Sequence, residues 1–257
     1  MLRKMILTNI LLLLAIPMAG GADVPGVPAK LSAAQIIENN IAAKGGLQAW
    51  RSVQTMTFSG KMDAGGKKNA QLPFLMEMKR PRKTRVEIEF ANDKAVQVYD
   101  GTNGWKLRPF LGRKDVEPFT AEEMKSASME SDLDGPLVDY AGKGTQVELE
   151  GVEKVEGNDA YKLKLTMKNG QVRHLWVDAR TFLEVKIEGV PRRMDGKMRP
   201  VEVYCRDYKS VNGLMVPYVL ETRVQGGKQS HKMTIERVVL NPKLDDSLFG
   251  MPRPATK

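Results

Sequence analysis

His174 and His231 are the two histidines of this 257-residue chain, and Cys205 is its one cysteine. Neither histidine has another ligand at metal-binding spacing, so both read as structural or surface residues, with a zinc ligand as the alternative. Cys205 cannot form an internal disulfide. It lies in an apolar-alternating stretch, residues 201–208, and reads as a small buried residue, the alternative being a reactive thiol. Glu122 and Glu123 have the chemistry of an acid/base pair, but Thr120 and Glu123 stand at the spacing of a capping box. There the hydroxyl and the carboxylate each satisfy a free helix N–H, and solvent accounts for Glu122. Asp245-Asp246 lacks the alternating oxygen ligands of a calcium loop. The sequence has no Gly-x-Ser-x-Gly elbow, HExxH helix, phosphate loop or dinucleotide fingerprint. It therefore predicts no catalytic residue, metal or cofactor, and reads as a non-enzyme; an envelope hydrolase, the alternative, needs convergent polar residues inside a hollow.

What chemistry remains is apolar, and strands must position it. In residues 161–168 apolar and polar residues alternate, which puts Tyr161, Leu163, Leu165 and Met167 on one face of a strand and Lys162, Lys164, Thr166 and Lys168 on the other. The same pattern places Met56, Phe58 and Met62 together, then Leu72, Phe74, Met76 and Met78, then Val86, Ile88 and Phe90. Strands at 95–99 and 104–107, the second carrying Trp105, flank the hairpin signal Asp100-Gly101-Thr102-Asn103. Further strands are expected at 147–149, 172–177, 185–187, 201–208, 215–224 and 231–239, with a charged loop at Arg192, Arg193, Met194, Asp195, Gly196 and Lys197. Pro73 restricts the start of its strand to an edge or loop.

Two helices interrupt this meander. Ser32 caps the first, whose stripe is Ala33, Ile36, Ile37 and Ile41, and Gly45-Gly46 ends it ahead of Trp50. The second runs from about Ala121 into the Ser131 region with a thin stripe of Met124, Ala127 and Ser128. Gly135-Pro136 stops it, and Leu137, Val138 and Tyr140 suggest one more helical turn. This weakly apolar segment between two blocks of strands is a candidate lid. The tail beyond Asn241, with Pro242, Pro252 and Pro254, reads as irregular. The fold class is mainly β: a strongly curved antiparallel sheet with a few helices, whose apolar face needs a cover of protein or of bound ligand. Unbranched, polarizable Met suits the second as well as ordinary core packing.

The start of the chain has the form of a secretory signal peptide: Arg3 and Lys4, an apolar run over 5–18, then Ala19, Gly20, Gly21 and Ala22. An uncleaved anchor is the alternative. Cleavage after Ala22 leaves residues 23–257 as a single exported domain beginning with a Pro-containing lead-in. It carries 38 basic against 31 acidic side chains, a charge of +7. That excess favours anionic lipid headgroups or an acidic partner, or is simply a basic surface; nucleic acid is not expected for an exported chain without a recognition motif.

Several stretches together resemble the LolA/LolB-like superfamily, in its outer membrane lipoprotein-sorting protein branch. They are Ile36-Ile37-Glu38 leading to Gly45-Gly46 and Trp50, then Lys79-Arg80-Pro81-Arg82-Lys83-Thr84-Arg85-Val86, and Tyr99-Asp100-Gly101 ahead of Trp105. Asp178-Ala179-Arg180-Thr181-Phe182-Leu183 follows, then Asp207-Tyr208-Lys209-Ser210-Val211-Asn212-Gly213-Leu214-Met215-Val216-Pro217, and the ending Asn241-Pro242-Lys243-Leu244-Asp245-Asp246-Ser247-Leu248-Phe249. The resemblance implies an incomplete β-barrel with a helical lid, and acyl chains of a lipid or lipoprotein held in the hollow without covalent chemistry. It implies a periplasmic carrier or sensor in outer-membrane lipoprotein sorting, with transient membrane contact and inner- or outer-membrane partner proteins. On this reading Met56, Phe58, Phe74, Met76, Met78, Val86, Ile88, Phe90 and Trp105 line the cavity. Arg80, Arg82, Lys83 and Arg85 meet a headgroup or partner, and Arg80, Arg82 and Arg85 are candidates for an arginine that locks the lid. A protein-docking or signalling module is the alternative from a different class.

Overall fold

A computed structural model describes residues 31–63, 70–109, 112–194, 197–225, 227 and 230–252. The expected signal peptide, the lead-in over 23–30 and the turn at 64–67 lie outside the described residues, as do Asp195, Gly196 and 253–257. Contacts separate Met1–Leu31 from Ser32–Lys257, and the architecture below belongs to the second unit.

Helix α1, Ala33–Ala43, opens with a full capping box between Ser32 and Gln35 and buries Ile36, Ile37 and Asn40. The paired Gly45 and Gly46 leave it, both at positive φ, and a short helix α2, Leu47–Ser52, follows at once. Trp50 of α2 is buried and donates its indole N–H to the Lys44 carbonyl at 3.0 Å. Six strands then run in succession: β1 Thr55–Asp63, β2 Gln71–Lys79, β3 Lys83–Phe90, β4 Asp93–Tyr99, β5 Gly104–Arg108 and β6 Arg113–Pro118. After α3, Ala121–Glu130, come β7 Gln146–Val155, β8 Asn158–Thr166, β9 Val172–Asp178, β10 Glu184–Met194, β11 Lys197–Val211, β12 Leu214–Val224 and β13 Ser230–Leu240. No helix among the described residues is long and apolar enough to cross a membrane.

All thirteen strands form one antiparallel sheet in the order β6-β5-β4-β3-β2-β1-β13-β12-β11-β10-β9-β8-β7, curved but not closed into a barrel. Each half is a meander because its turns are short. Glu156-Gly157 and Asn212-Gly213, for example, place two positive-φ residues between strands, the geometry of a type I′ hairpin. The halves join where β1 pairs with β13, across a register shift at Ser59/Gly60. A Cβ on Gly60 would collide with the Thr234 carbonyl, so this close approach requires glycine.

The alternation sorts the faces. Met56, Phe58, Phe74 and Met78 join Trp50, Val53, Leu214, Val216, Ile235 and Val238 in the main core, together with Leu133 and Val138 from the segment after α3. Full burial of such side chains contributes about 1.5–3 kcal/mol each. Leu163, Leu165 and Leu175 extend the apolar face into the second half. The opposite face there is a lattice of charges: Lys186 lies 3.8 Å from the Trp176 ring and Arg223 4.2 Å from the Tyr204 ring. The tail is not irregular throughout. Asp246–Phe249 forms a 3-10 turn capped by Asp245, and Phe249 packs with Val96, Val98 and Leu107 on the far side of β4 and β5. Leu137, Val138 and Tyr140 lie in turns rather than a further helix.

Candidate functional site

Strand register builds the floor of a cavity. Met76 pairs with Val86, Val86 with Gln97, and Gln97 with Lys106, a row of side chains across four strands. The next row runs Met78, Thr84, Tyr99, Gly104. Gly104 has no side chain there, and the Phe119 ring occupies the space a Cβ would take. Above the floor lies α3, which turns Glu122, Ser126 and Glu130, and beside them Glu123, Ala127 and Ser131, toward the hollow. Val190 and Pro191 of β10 close the far side, and the cavity has a volume of about 470 Å³.

The roof is thinly attached. Helix α3 buries none of its side chains. Its N-terminus is fixed by the Thr120–Glu123 capping box and by Lys106, whose buried ammonium sits 2.5 Å from Glu123 Oε2. Although burial opposes its charge, Lys106 and the Thr120 N–H hold the Glu123 carboxyl below its ordinary range. At the other end Arg173 donates to the Met129 carbonyl at 3.4 Å and to the Glu188 carbonyl at 2.8 Å. Burial lowers the Arg173 guanidinium from its ordinary value.

Beyond α3 the chain is clasped firmly. Asp134, with its side chain 2% exposed, accepts from Arg80 Nη2 and from Lys143 Nζ, each at 2.7 Å. Arg80 also donates to the carbonyls of Val53 at 2.8 Å and Trp50 at 3.1 Å, tying α2, the residue that follows it and the crossing segment to one side chain. Lys44 pairs with Glu184 at 3.0 Å beside the same segment.

The residues singled out from sequence fall into separate places. Met76 and Val86 line the cavity. Met56, Phe58, Phe74 and Met78 share their sheet face but are sealed in the main core, with Ile88 packed against it. Phe90 is 46% exposed near the sheet end. Trp105 stands on the other face, pairing with Val98 and packing in the cluster that contains Phe249. None of the four basic residues lines the cavity. Arg80 and Arg82 reach Asp134 and Asp132, Lys83 reaches Asp246, and Arg85 reaches Glu77 and Glu87. Lys106, Gln97 and the polar stripe of α3 were not anticipated; the capping box at Thr120 located the helix but not the direction in which Glu123 faces. Histidine, cysteine and carboxylate side chains form no metal-holding group among the described residues. His174 lies in β9 between Glu188 at 2.8 Å and Glu150 at 3.3 Å, and burial pushes the Cys205 thiol up to about 12.

The geometry has solved counterparts. A LolA superfamily protein from Nitrosomonas europaea is 16% identical over 86% of this chain and 98% of its own, with a TM-score of 0.57. A DUF1329 family protein from Desulfovibrio piger is 16% identical over 84% of this chain and 95% of its own, at 0.55. A domain described as an outer membrane lipoprotein-sorting protein, from Vibrio parahaemolyticus, is 14% identical over 83% of this chain and 94% of its own, at 0.53. Among curated proteins none matches. A family model described as "Uncharacterized protein" matches residues 103–252, from the β4–β5 turn to the tail. The chain belongs to that family, and its fold is LolA-like.

Proposed function

We propose that this protein binds the acyl portion of a lipid or lipoprotein beneath α3 and carries or senses it in the periplasm after export, in outer-membrane lipoprotein sorting. The observation that carries the reading is the hollow of about 470 Å³ between a sheet face that presents Met76 and Val86 and a helix that buries none of its own side chains. Its size suits one small amphiphile, within the roughly 300–1,000 Å³ of small-molecule sites. Each methylene moved there from water contributes about 0.8 kcal/mol, so a single chain is held by area without covalent chemistry. Met76 and Val86 meet the chain directly, while Met56, Phe58, Phe74, Met78 and Ile88 support the floor. The LolA-like fold, which includes a relative described as a lipoprotein-sorting domain, supports the same reading. Arg82 and Lys83, at the β2–β3 turn and paired there with Asp132 and Asp246, are the basic groups assigned on this reading to contact with a membrane or partner protein.

Native mass spectrometry with lipid extraction, on protein from residue 23 purified from an exported preparation, tests this. A stoichiometric lipid or lipopeptide is the expected result. A clean apo mass with no uptake of added lipid or lipopeptide refutes it and favours a protein-docking module.

A further inference from the structure

Among the described residues, the charged side chains that line the cavity are all carboxylates. From α3 the stripe Glu122, Glu123 and Glu130 faces the hollow, and Lys106 answers Glu123 at 2.5 Å, with Glu117 at 4.0 Å from the same ammonium. Arg173 lies within electrostatic reach of Glu130 and donates hydrogen bonds to the Met129 and Glu188 carbonyls. Glu122 has no ion pair among the described residues. Independently, Ser131 lines the cavity at 2% exposure with its hydroxyl unpartnered, and the buried Thr84 hydroxyl, also in the lining, is unpartnered too. A hydroxyl buried without a partner is costly, and the oxygens of these two can each accept a hydrogen bond from an N–H or O–H donor that enters. The Gln97 amide completes the polar lining.

Resting on the reading that an amphiphile occupies this hollow, we propose that its preferred ligand carries an ammonium head, which donates to Ser131 and Thr84 and faces the glutamates of α3. A phosphate or carboxylate head meets the same glutamates as like charges, and no described residue of the lining is a cation to answer it. This selectivity comes from α3 and is separate from the basic β2–β3 turn, whose side chains are already paired with carboxylates.

A displacement titration decides it, using N-phenyl-1-naphthylamine as the bound apolar probe and dodecylammonium, dodecanol and dodecyl phosphate as competitors below their micelle concentrations. The expected result is that the ammonium displaces the probe at least about tenfold more tightly than the phosphate, with the alcohol between. High salt should narrow that ratio, and Glu122→Gln combined with Glu130→Gln should bring it toward one. Ser131→Ala should weaken ammonium and alcohol alike while leaving the ratio to phosphate partly in place. Equal or tighter binding of dodecyl phosphate to the wild type overturns the head-group assignment while the cavity stands. Failure of the probe and all three competitors to bind overturns the cavity reading and this assignment with it.

Discussion

Removing either partner of the Arg80–Asp134 clasp should destabilise the protein, but unequally. In Asp134→Ala two charge-assisted hydrogen bonds at 2.7 Å are lost. Neither cation is left alone, however: Arg80 keeps the Val53 and Trp50 carbonyls, and Lys143 keeps the Gly135 carbonyl at 2.7 Å. Both side chains are also about a quarter exposed, so water recovers part of the loss. A cost of about 2–3 kcal/mol follows. Arg80→Ala leaves the Asp134 carboxylate at 2% exposure with one cation fewer, and strips donors from two carbonyls at once. The carboxylate keeps Lys143 at 2.7 Å, so the cost lies toward the low end of the roughly 3–5 kcal/mol of a broken buried pair. Urea unfolding of both single variants and the double variant measures the two costs and their coupling, which should fall at about 1–3 kcal/mol for groups in direct contact. Hydrogen exchange should quicken in the segment after α3, at the Gly135 amide among others, before it does in β1 and β2. Equal costs for the two single variants, or a coupling below about 0.5 kcal/mol, would show that the clasp does not hold the crossing segment.

Met76→Glu should abolish lipid uptake and leave a folded, weakened protein, because it places a carboxylate in the middle of the floor; uptake at the wild-type level by the probe assay would remove Met76 from the binding surface. Ser126→Leu, on the cavity side of α3, should raise the unfolding free energy from urea titration by about 0.5–2 kcal/mol by filling cavity space, while reducing uptake. A variant that loses stability and retains uptake would mean that α3 does not roof the ligand. Glu221 is held at about 2, first by the Arg223 guanidinium and then by Ser230 and Arg206 against the opposing effect of burial. Because its folded value is depressed, its contribution is fully present above its ordinary value near 4.5 and is lost as pH falls toward 2. With its partners 30% and 42% exposed, about 2 kcal/mol is a fair discounted size. Glu221→Gln should flatten the acid limb of a stability-against-pH curve by that amount, and an unchanged limb would refute the assignment.

The faces of β1, β2 and β3 were legible because alternation of period two is a local signal, and one side of those strands is plainly apolar. The N-cap at Ser32 and the capping box at Thr120 were legible for the same reason: each is a signal contained within four residues. What the sequence hid lies where local rules compete. In β5 the large apolar residues Trp105 and Leu107 alternate with Lys106, so pattern alone sends the lysine outward. The structure does the reverse because the tail, through Phe249, covers the other face, and Glu123 supplies Lys106 with a buried partner. Helix α2 is too short to show a period, and β6, with Arg113, Asp115 and Glu117, is too polar to look like a strand. Arg80 stood out as a basic turn residue. Its partner Asp134 is 54 positions away, and only the path of the chain brings the two together.

That path also explains why the cavity is where it is. Strand β6 ends at one edge of the sheet and β7 begins at the other, so residues 119–145 must cross from edge to edge. The crossing is uneven in composition. Its second part contributes Leu133, Leu137 and Val138 to buried positions and Asp134 to the clasp, and there it lies tight on the sheet. Its first part is α3, which turns glutamate and serine toward Met76 and Val86 and buries nothing. A helix selected only to complete the core would carry leucine at Glu122, Ser126 and Glu130, because an apolar stripe is what packs on an apolar sheet. With polar residues there instead, α3 is held at its two ends by polar contacts from Lys106 and Arg173, while the second half of the crossing is held by buried apolar side chains and the clasp. A roof held by a few polar contacts can admit a ligand without disturbing the main core, since the residues that must yield are those contributing least to it.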